Sequence, residues 1–351
     1  MDDCRIGKGA AMHPGVRWGI LVIWVWAWAF AAGAGEESLG PYPSLEQVTG
    51  EIRQLEKDHP GRARLLIFSS SAQGRPLYAV RISRDDGRPR PEALVAGNIH
   101  GDEPIGNRTA LAVARFLLEE DGRDPLATQV LQVAEVLIIP LLNPDGYART
   151  QESEGKAPVK ERRTNGRQVD LNRNFPRPGF GIWLPLGYSG SNNPRSTRYH
   201  GPQPLSEPET QAVRDLAASH PFFAAVDYHS AAGMIIPAKC QTRTCSREHK
   251  QMAKAYRQAQ SRPYSIFNRP YWSPLWQGNM EDFLLAESGT LSLLIELGNQ
   301  KERPGKEKEE FWKMNPRDST AVVGNNLKAT LSAILEAYQI TGGKPLCGCK
   351  R

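Results

Sequence analysis

The sequence predicts an α/β protein in which one mixed, mainly parallel twisted sheet is covered by helices. Short apolar runs of strand length alternate with stretches of helical periodicity along the 351 residues. The connections between the runs are long, as crossovers between parallel strands must be. The 27 prolines and 32 glycines indicate many turns and loops rather than a helical bundle. Because such folds often enclose about 300 residues around one sheet, we expect a single domain.

The first third of the chain predicts a helix, two paired strands, a third strand and a second helix. Ser44 is a suitable N-cap for apolar residues that recur at helical spacing. Apolar stretches at 63–69 and 77–82 are separated by a Gly-Arg-Pro sequence, which predicts two strands joined by a turn. A buried strand is predicted at 93–99 and an amphipathic helix at 105–120.

The remaining elements continue the alternation of strands and helices. Further strands are predicted from the apolar runs at 133–142, 222–228 and 291–297. The polar segment 148–204 is too long for a simple linker, and long loops in compact domains are usually functional. Residues 206–209 read Ser-Glu-Pro-Glu, which predicts a capping box that opens a helix. A last helix is predicted at 325–338.

The charge distribution argues against a nucleic-acid partner. The formal net charge is +6, but Lys and Arg are dispersed and no basic block is interleaved with aromatic residues. Nucleic-acid-binding proteins usually present a clustered basic face. The densest charged run, at 301–310, mixes both signs and is typical of a solvated loop.

The N-terminus predicts a signal peptide over residues 1–34, with either Met1 or Met12 as the start. Arg17 precedes an apolar run at 20–32 that ends in Ala-Gly-Ala, which is the pattern of a cleavable export signal. An uncleaved anchor is the alternative, but the run is shorter than the about 20 residues that span a bilayer. We therefore expect a periplasmic or secreted protein whose mature form has no membrane span.

Four cysteines follow the predicted cleavage site, at Cys240, Cys245, Cys347 and Cys349. An even number in an exported protein favours disulfides. Cys240 and Cys245 could close a small loop, although the pairing cannot be derived from sequence. A metal site is the alternative, but neither pair has the usual C-x2-C spacing.

Three residues are candidates for a catalytic zinc site. His100 and Glu103 lie where a predicted strand meets a helix, and His229 follows another strand. A catalytic zinc ion needs three protein ligands and one open position, and open α/β sheets bind ligands at the carboxyl ends of their strands. The H-x-x-E pair alone is a weak signal, since a surface histidine beside a helix-capping glutamate gives the same pattern.

Four further residues suit hydrolysis beside a carboxylate. Glu296 interrupts a buried apolar run, where an unpaired carboxylate is costly. It could be a general base beside a metal-bound water, or it could form a structural ion pair. Asn172 and Arg173 are suited to holding a carboxylate. Arg163 could polarise a carbonyl and stabilise an oxyanion.

The motifs around these residues follow one another at 97–103, 143–147, 163–165, 170–175, 201–202, 206–209, 229–230 and 295–298. In composition and order they resemble the zinc carboxypeptidase family, the metallocarboxypeptidases. The resemblance covers residues 42–340 and leaves 341–351 as a C-terminal tail. Because the first helix follows closely on the predicted cleavage site, we expect a bare catalytic domain without an inhibitory pro-domain.

The resemblance implies a role for each candidate residue. One zinc ion would be bound by His100, Glu103 and His229. Glu296 would activate the metal-bound water, and Arg163 would face the scissile carbonyl. Asn172 and Arg173 would grip the terminal carboxylate of a peptide substrate. His200 and His220 match no ligand position of the family, and we interpret them as structural.

Position 274 departs from the family pattern, and position 281 refines the expected substrate preference. Pro274 stands where the family usually has a mobile tyrosine, and Tyr271, Trp272 or Trp276 could cover the pocket instead. Glu281 falls at the base of the family's specificity pocket, where an acid implies a preference for Lys, Arg or a diaminopimelate amine. If the register slips by one residue, Glu281 is instead a surface acid.

Three alternative functions remain open. One is a cell-wall muropeptide peptidase or amidase that cuts at diaminopimelate, which the predicted export also fits. Another is an acyl-amino-acid deacylase, which shares the H-x-x-E and D-x-N-R motifs, although the export signal and the turn at 143–147 argue against it. The third is a non-catalytic zinc- or peptide-binding module, but the complete set of candidate catalytic residues is unexpected in such a protein.

Overall fold

The structure, a computed structural model, describes residues 39–176, 190–271, 273, 275–298 and 310–346. The predicted signal peptide, the charged run at 301–309, Cys347, Cys349, Trp272 and Pro274 lie outside these residues. None of the described helices has the length and apolarity needed to cross a membrane.

An eight-stranded mixed sheet forms the centre of the fold. Its strands are β1 (Ala63–Ser70), β2 (Pro76–Ile82), β3 (Glu92–Gly97), β4 (Glu135–Ile139), β5 (Ala224–Ser230), β6 (Met234–Pro237), β7 (Ser265–Ile266) and β8 (Leu291–Leu297). They lie in the order β1-β2-β4-β3-β5-β8-β6-β7. The central strands β4, β3, β5 and β8 are parallel, whereas the β1–β2, β2–β4 and β6–β8 pairs are antiparallel. The predicted fold class is confirmed.

Helices cover both faces of the sheet. They are α1 (Leu45–Asp58), α2 (Pro104–Glu120), α3 (Pro125–Val133), α4 (Pro144–Glu152), α5 (Val159–Arg163), α6 (Pro208–Ser219), α7 (Arg243–Gln258), α8 (Met280–Ser288), α9 (Glu310–Met314) and α10 (Thr320–Thr341). Side chains of α1, α2, α3, α7 and α10 belong to one apolar cluster, and those of α6 and α8 to another. In β3, Val95 joins the first cluster and Leu94 the second. Burial on both faces explains why the central strands are continuously apolar.

Local sequence patterns predicted the start of α1 correctly, but they did not predict the cap of α6 or the bounds of β4. Ser44 caps α1 through the reciprocal capping box with Gln47. The capping box predicted at 206–209 is wrong, because α6 begins at Pro208 and Glu207 caps it without a side-chain bond. The hydroxyl of Ser206 instead donates to the Glu207 carboxylate. The strand predicted at 133–142 is shorter, since Val133 ends α3 and β4 covers only Glu135–Ile139.

Candidate active site

The candidate metal ligands and Glu296 meet at one edge of the sheet. His100 follows β3, Glu103 is the N-cap of α2, and His229 lies near the end of β5. Glu296 lies in β8 directly opposite His229 in the parallel register. Because β3, β5 and β8 are neighbouring parallel strands, their carboxyl ends deliver these side chains to the same place.

The corner between His100 and Glu103 is held by close backbone packing. A Cβ at Gly101 would lie 2.1 Å from the carbonyl carbon of Gly146, so only glycine fits there. The Asn143 side-chain nitrogen donates to the carbonyls of Ile99 and Arg163, each at 3.1 Å. The Asn-Pro-Asp-Gly turn therefore fixes the loop that presents the metal ligands.

The three candidate ligands form one compact, buried group. The Nδ1 atom of His100 lies 2.9 Å from Glu103 Oε1, and that of His229 lies 3.1 Å from Glu103 Oε2. The two Nδ1 atoms are 3.0 Å apart. Burial raises the pKa of Glu103, but the two imidazoles outweigh it and hold that pKa well below its ordinary value. The group therefore presents a carboxylate and two imidazole nitrogens to one point.

Two aspartates fix which ring nitrogens point inward. His100 Nε2 lies 3.1 Å from Asp170 Oδ1, and His229 Nε2 lies 3.0 Å from Asp227 Oδ2. When each carboxylate accepts an Nε2–H, the Nδ1 lone pairs face Glu103. Electron-rich atoms this close are held together by a ring proton or by a metal ion, and carboxylate–histidine pairs of this kind are usual behind zinc ligands. The donor set therefore fits the zinc ion that the sequence predicted.

Asp170 also holds Arg163. Both Nε and Nη2 of Arg163 lie 3.1 Å from Asp170 Oδ2, and its Nη1 lies 3.4 Å from Glu103 Oε1. Although burial opposes it, Arg163 and His100 hold the pKa of Asp170 well below its ordinary value. Asp170 therefore orients a metal ligand and the candidate oxyanion-stabilising arginine together.

Arg173 is a buried cation without a carboxylate partner. Its side chain is 6% exposed, and among the described residues it forms no ion pair. Its Nη1 donates to the Asn172 carbonyl at 2.5 Å, and its Nε has no hydrogen-bond partner. Burial lowers the pKa of Arg173 to about 10. The neighbouring Asn172 is fixed because its Oδ1 accepts from the Met280 amide at 2.9 Å.

Glu296 is the second unpaired charge at this edge. It is partly exposed, and it has no hydrogen bond or ion pair within the described residues. The described part of the chain therefore contains no partner for the structural ion pair that the sequence left open. Burial and the neighbouring Glu103 carboxylate raise the pKa of Glu296 above its ordinary value. A carboxylate with a raised pKa suits a group that accepts and then returns a proton.

One cavity of about 420 Å³ is lined by all the candidate metal-binding, catalytic and substrate-binding residues. Its lining includes His100, Glu103, Arg163, Asn172, Arg173, His229, Glu281 and Glu296. His200 and His220 are not part of this lining. They bond instead to the scaffold, for example His220 Nδ1 to Glu92 Oε2 at 2.6 Å.

Glu281 is buried at the wall of this cavity rather than on the surface. Its side chain is 1% exposed, and its Oε1 accepts from Asn279 Nδ2 at 2.7 Å and from Arg269 Nη2 at 3.0 Å. Its Oε2 is buried without a hydrogen-bond partner. Arg269 also donates to Asp282, at 2.9 and 3.2 Å. Sequence reasoning missed Arg269, which pairs with both acids.

Of the aromatic residues considered as a cover for the pocket, Trp276 lines the cavity and Tyr271 does not. Trp276 has a φ of 49°, which is unusual for a bulky residue. Its carbonyl accepts from Arg269 Nη1 at 3.2 Å, and its ring packs edge-on against Phe267 at 5.3 Å. Several contacts therefore hold Trp276 in a conformation that costs backbone energy.

A second group of potential metal ligands proves to be structural. Cys240 and Cys245 form the disulfide that could close a small loop. The Ser292 amide donates to His249 Nε2 at 3.2 Å, so His249 carries its proton on Nδ1, which lies 3.0 Å from the Cys245 carbonyl. Burial lowers the pKa of His249 to about 4, which keeps the ring neutral. No free lone pair remains there for a metal.

Comparison with known proteins identifies zinc carboxypeptidases. A family model described as zinc carboxypeptidase matches residues 48–317. Duck carboxypeptidase D is 28% identical over 76% of this chain and 20% of its own length. Mouse carboxypeptidase A2 is 32% identical over 52% of this chain and 43% of its own length. The chain thus spans less than half the length of these curated relatives.

The fold is shared with solved structures. The carboxypeptidase A of Helicoverpa armigera aligns with a TM-score of 0.69 and 22% identity, over 85% of this chain and 74% of the other. Thrombin-activatable fibrinolysis inhibitor aligns with a TM-score of 0.67 and 21% identity over the same shares. At this level of identity the match establishes the architecture alone.

Proposed function

The chain belongs to the zinc carboxypeptidase family, and from its site we propose that it hydrolyses the peptide bond next to a free C-terminal carboxylate. One observation carries this proposal. The candidate metal ligands, the unpaired Glu296 and the unpaired Arg173 all line a single cavity. Bound there by His100, Glu103 and His229, one zinc ion would polarise the scissile carbonyl and acidify a bound water.

The protein side chains supply proton transfer and charge stabilisation. Glu296 takes a proton from the attacking water as its oxygen adds to the scissile carbonyl carbon. Arg163 donates hydrogen bonds to the carbonyl oxygen as negative charge develops there. When the C–N bond breaks, Glu296 returns the proton to the leaving amine. Asp170 keeps Arg163 in place through this sequence.

Arg173 supports the requirement for a free carboxylate. A buried guanidinium without a counter-charge is unfavourable, and a substrate carboxylate would supply both the charge and the missing hydrogen-bond acceptors. Asn172 adds an amide beside it. An enzyme that cut within a chain would have no use for such a cation in its cavity.

We further propose a preference for terminal residues with a long cationic side chain. Glu281 Oε2 has no partner in the cavity wall, and an ammonium or guanidinium group would provide one. Arg269 is shared between the two adjacent acids, Glu281 and Asp282, and leaves Glu281 Oε2 without a hydrogen-bond donor. The indole of Trp276 would pack along the aliphatic part of such a side chain. The amine of a terminal diaminopimelate would reach the same oxygen, so muropeptides belong among the test substrates.

We also propose that the protein is exported. The apolar run before residue 34 supports it, and the Cys240–Cys245 disulfide is of the kind that persists in oxidising compartments.

The test is hydrolysis of blocked peptides by purified protein, with and without a chelator. We expect cleavage of peptides with a free C-terminal Lys or Arg, loss of activity with chelator, and recovery on addition of zinc. The same peptides with amidated C-termini are the matched control and should not be cleaved. Equal turnover of free and amidated peptides would contradict a carboxypeptidase.

A further inference from the structure

The outer face of α7 carries a row of basic side chains, which we call the basic row: Arg243, Arg247, Lys250, Lys254 and Arg257. Successive members are three or four residues apart, so they share one face of the helix. All five are exposed, so the basic residues, which are dispersed along the sequence, are clustered on this face. At 1.5 Å per residue the row is about 21 Å long. The opposite face of α7 is buried and contains Met252, Ala253 and Tyr256.

The basic row has no internal counter-charges. Within the part of the chain that the structure describes, none of its members forms an ion pair. Exposed cations elsewhere commonly do, as in the pairs Arg214–Asp215 and Lys328–Asp124. The one acid of α7, Glu248, is not three or four residues from any basic member and so does not face them.

Such a row is unfavourable by itself. Neighbouring like charges on a helix repel one another, and Arg243 at the first helical position also faces the positive end of the helix dipole. The buried face of α7 keeps the helix in place despite this repulsion. An external anion would relieve it.

We propose that the basic row is a docking surface for a linear anionic polysaccharide. Four members, with Ser246 and Gln251 between them, line a groove of about 400 Å³ along the helix, which suits a single polymer strand carrying carboxylate, sulfate or phosphate groups. The large exposed hydrophobic residues described, Ile67 and Phe267, are not on α7, so this face has nothing to insert into a bilayer. No member of the row lines the catalytic cavity, and docking would leave that cavity open.

The test measures binding of heparin, used as a defined anionic polysaccharide, to the whole protein. In the variant R243Q/R247Q/K250Q/K254Q we expect the Kd at low ionic strength to rise by about tenfold or more, and added salt to reduce the difference. Glutamine removes charge and keeps a good helix propensity. The matched control removes four dispersed exposed charges, as K57Q/R64Q/R88Q/R123Q, and should change the Kd by less than about threefold.

Hydrolysis of a small peptide should be unchanged in both variants. An equal loss of heparin binding in both variants would show that net charge alone is responsible, and the proposal would be overturned. Failure of the wild-type protein to bind heparin would overturn it as well. The protein could also bind vesicles of phosphatidylglycerol and phosphatidylcholine more tightly than heparin, and the row variant could lose that binding. This outcome would show that the ligand is a membrane surface and would overturn the polysaccharide proposal.

Discussion

The sharpest prediction concerns Glu281→Gln, which removes the negative charge from the cavity wall and keeps the size of the side chain. Glutamine can still accept from Asn279 or Arg269 through its oxygen, but it places an amide donor where the wild type has the unpartnered Oε2. Arg269 keeps its two bonds to Asp282, so we expect the fold to remain intact. The variant therefore isolates the interaction with the substrate side chain.

The expected loss follows from that one lost interaction. A hydrogen bond to a charged group contributes about 1.5–3 kcal/mol, and about 1.4 kcal/mol corresponds to a factor of ten. The kcat/KM for peptides ending in Lys or Arg should therefore fall about 10- to 100-fold. The kcat/KM for a peptide ending in Phe should stay the same or rise, because an apolar side chain no longer meets an unpaired carboxylate.

Asp282→Asn is the matched control. It removes the same charge one residue further on, from a side chain that contacts Arg269 and the Lys239 amide and does not line the cavity. We expect it to lower stability more than selectivity. The reasoning is refuted if the Lys-to-Phe ratio of kcat/KM is the same in wild type and Glu281→Gln, or if Asp282→Asn shifts that ratio equally.

Four further outcomes are expected. Glu296→Gln should lower kcat by about 100-fold or more while zinc content, measured by metal analysis, is unchanged; retained turnover would exclude Glu296 as the base. Arg173→Met should abolish the preference for free over amidated C-termini, read from paired peptide assays; an unchanged preference would exclude Arg173 from carboxylate binding. Asp227→Asn should weaken zinc binding about 10- to 100-fold, measured by competition with a chelator; equal affinity would show that Asp227 does not orient His229. Burial raises the pKa of Glu209 from 4.5 to about 7, so the folded state holds the extra proton and the free energy of unfolding should fall as the pH rises through this range. Urea titrations at pH 5 and pH 8 should show a smaller fall in Glu209→Gln, and an identical fall would refute this assignment.

The metal-ligand group could be predicted because its signals are local. His100 and Glu103 lie three residues apart at a strand end, and His229 lies at the end of a strand that proved to be adjacent. Asp227 was missed, although it precedes His229 by two residues and so lies on the same face of β5. That spacing is a usable signal. A carboxylate on the same strand face as a histidine ligand can accept a hydrogen bond from the ring nitrogen that does not face the metal.

Other features depend on contacts that no local pattern contains. Ser206 has the right spacing for a capping box, but its hydroxyl is taken by Glu207 and by Asn174. The helix α7 was not predicted at all, although its buried positions at 245, 249, 252, 253 and 256 recur at helical spacing and Thr242 caps it through its side chain. At Ser206 the tertiary contacts, and not the local spacing, decide what the side chain does, whereas the pattern of α7 was present in the sequence and was missed.

The charge of the cavity wall around Glu281 could not be predicted from the local sequence either. An acid at position 281 alone would predict a strongly negative pocket. Arg269, twelve residues earlier, changes that prediction because it pairs with Glu281 and Asp282 at once. The same guanidinium also bonds to the carbonyl of Trp276, so the charge of the pocket and the placement of its aromatic wall depend on one side chain. A substitution at Arg269 should therefore alter both together, whereas Glu281→Gln should alter the charge alone.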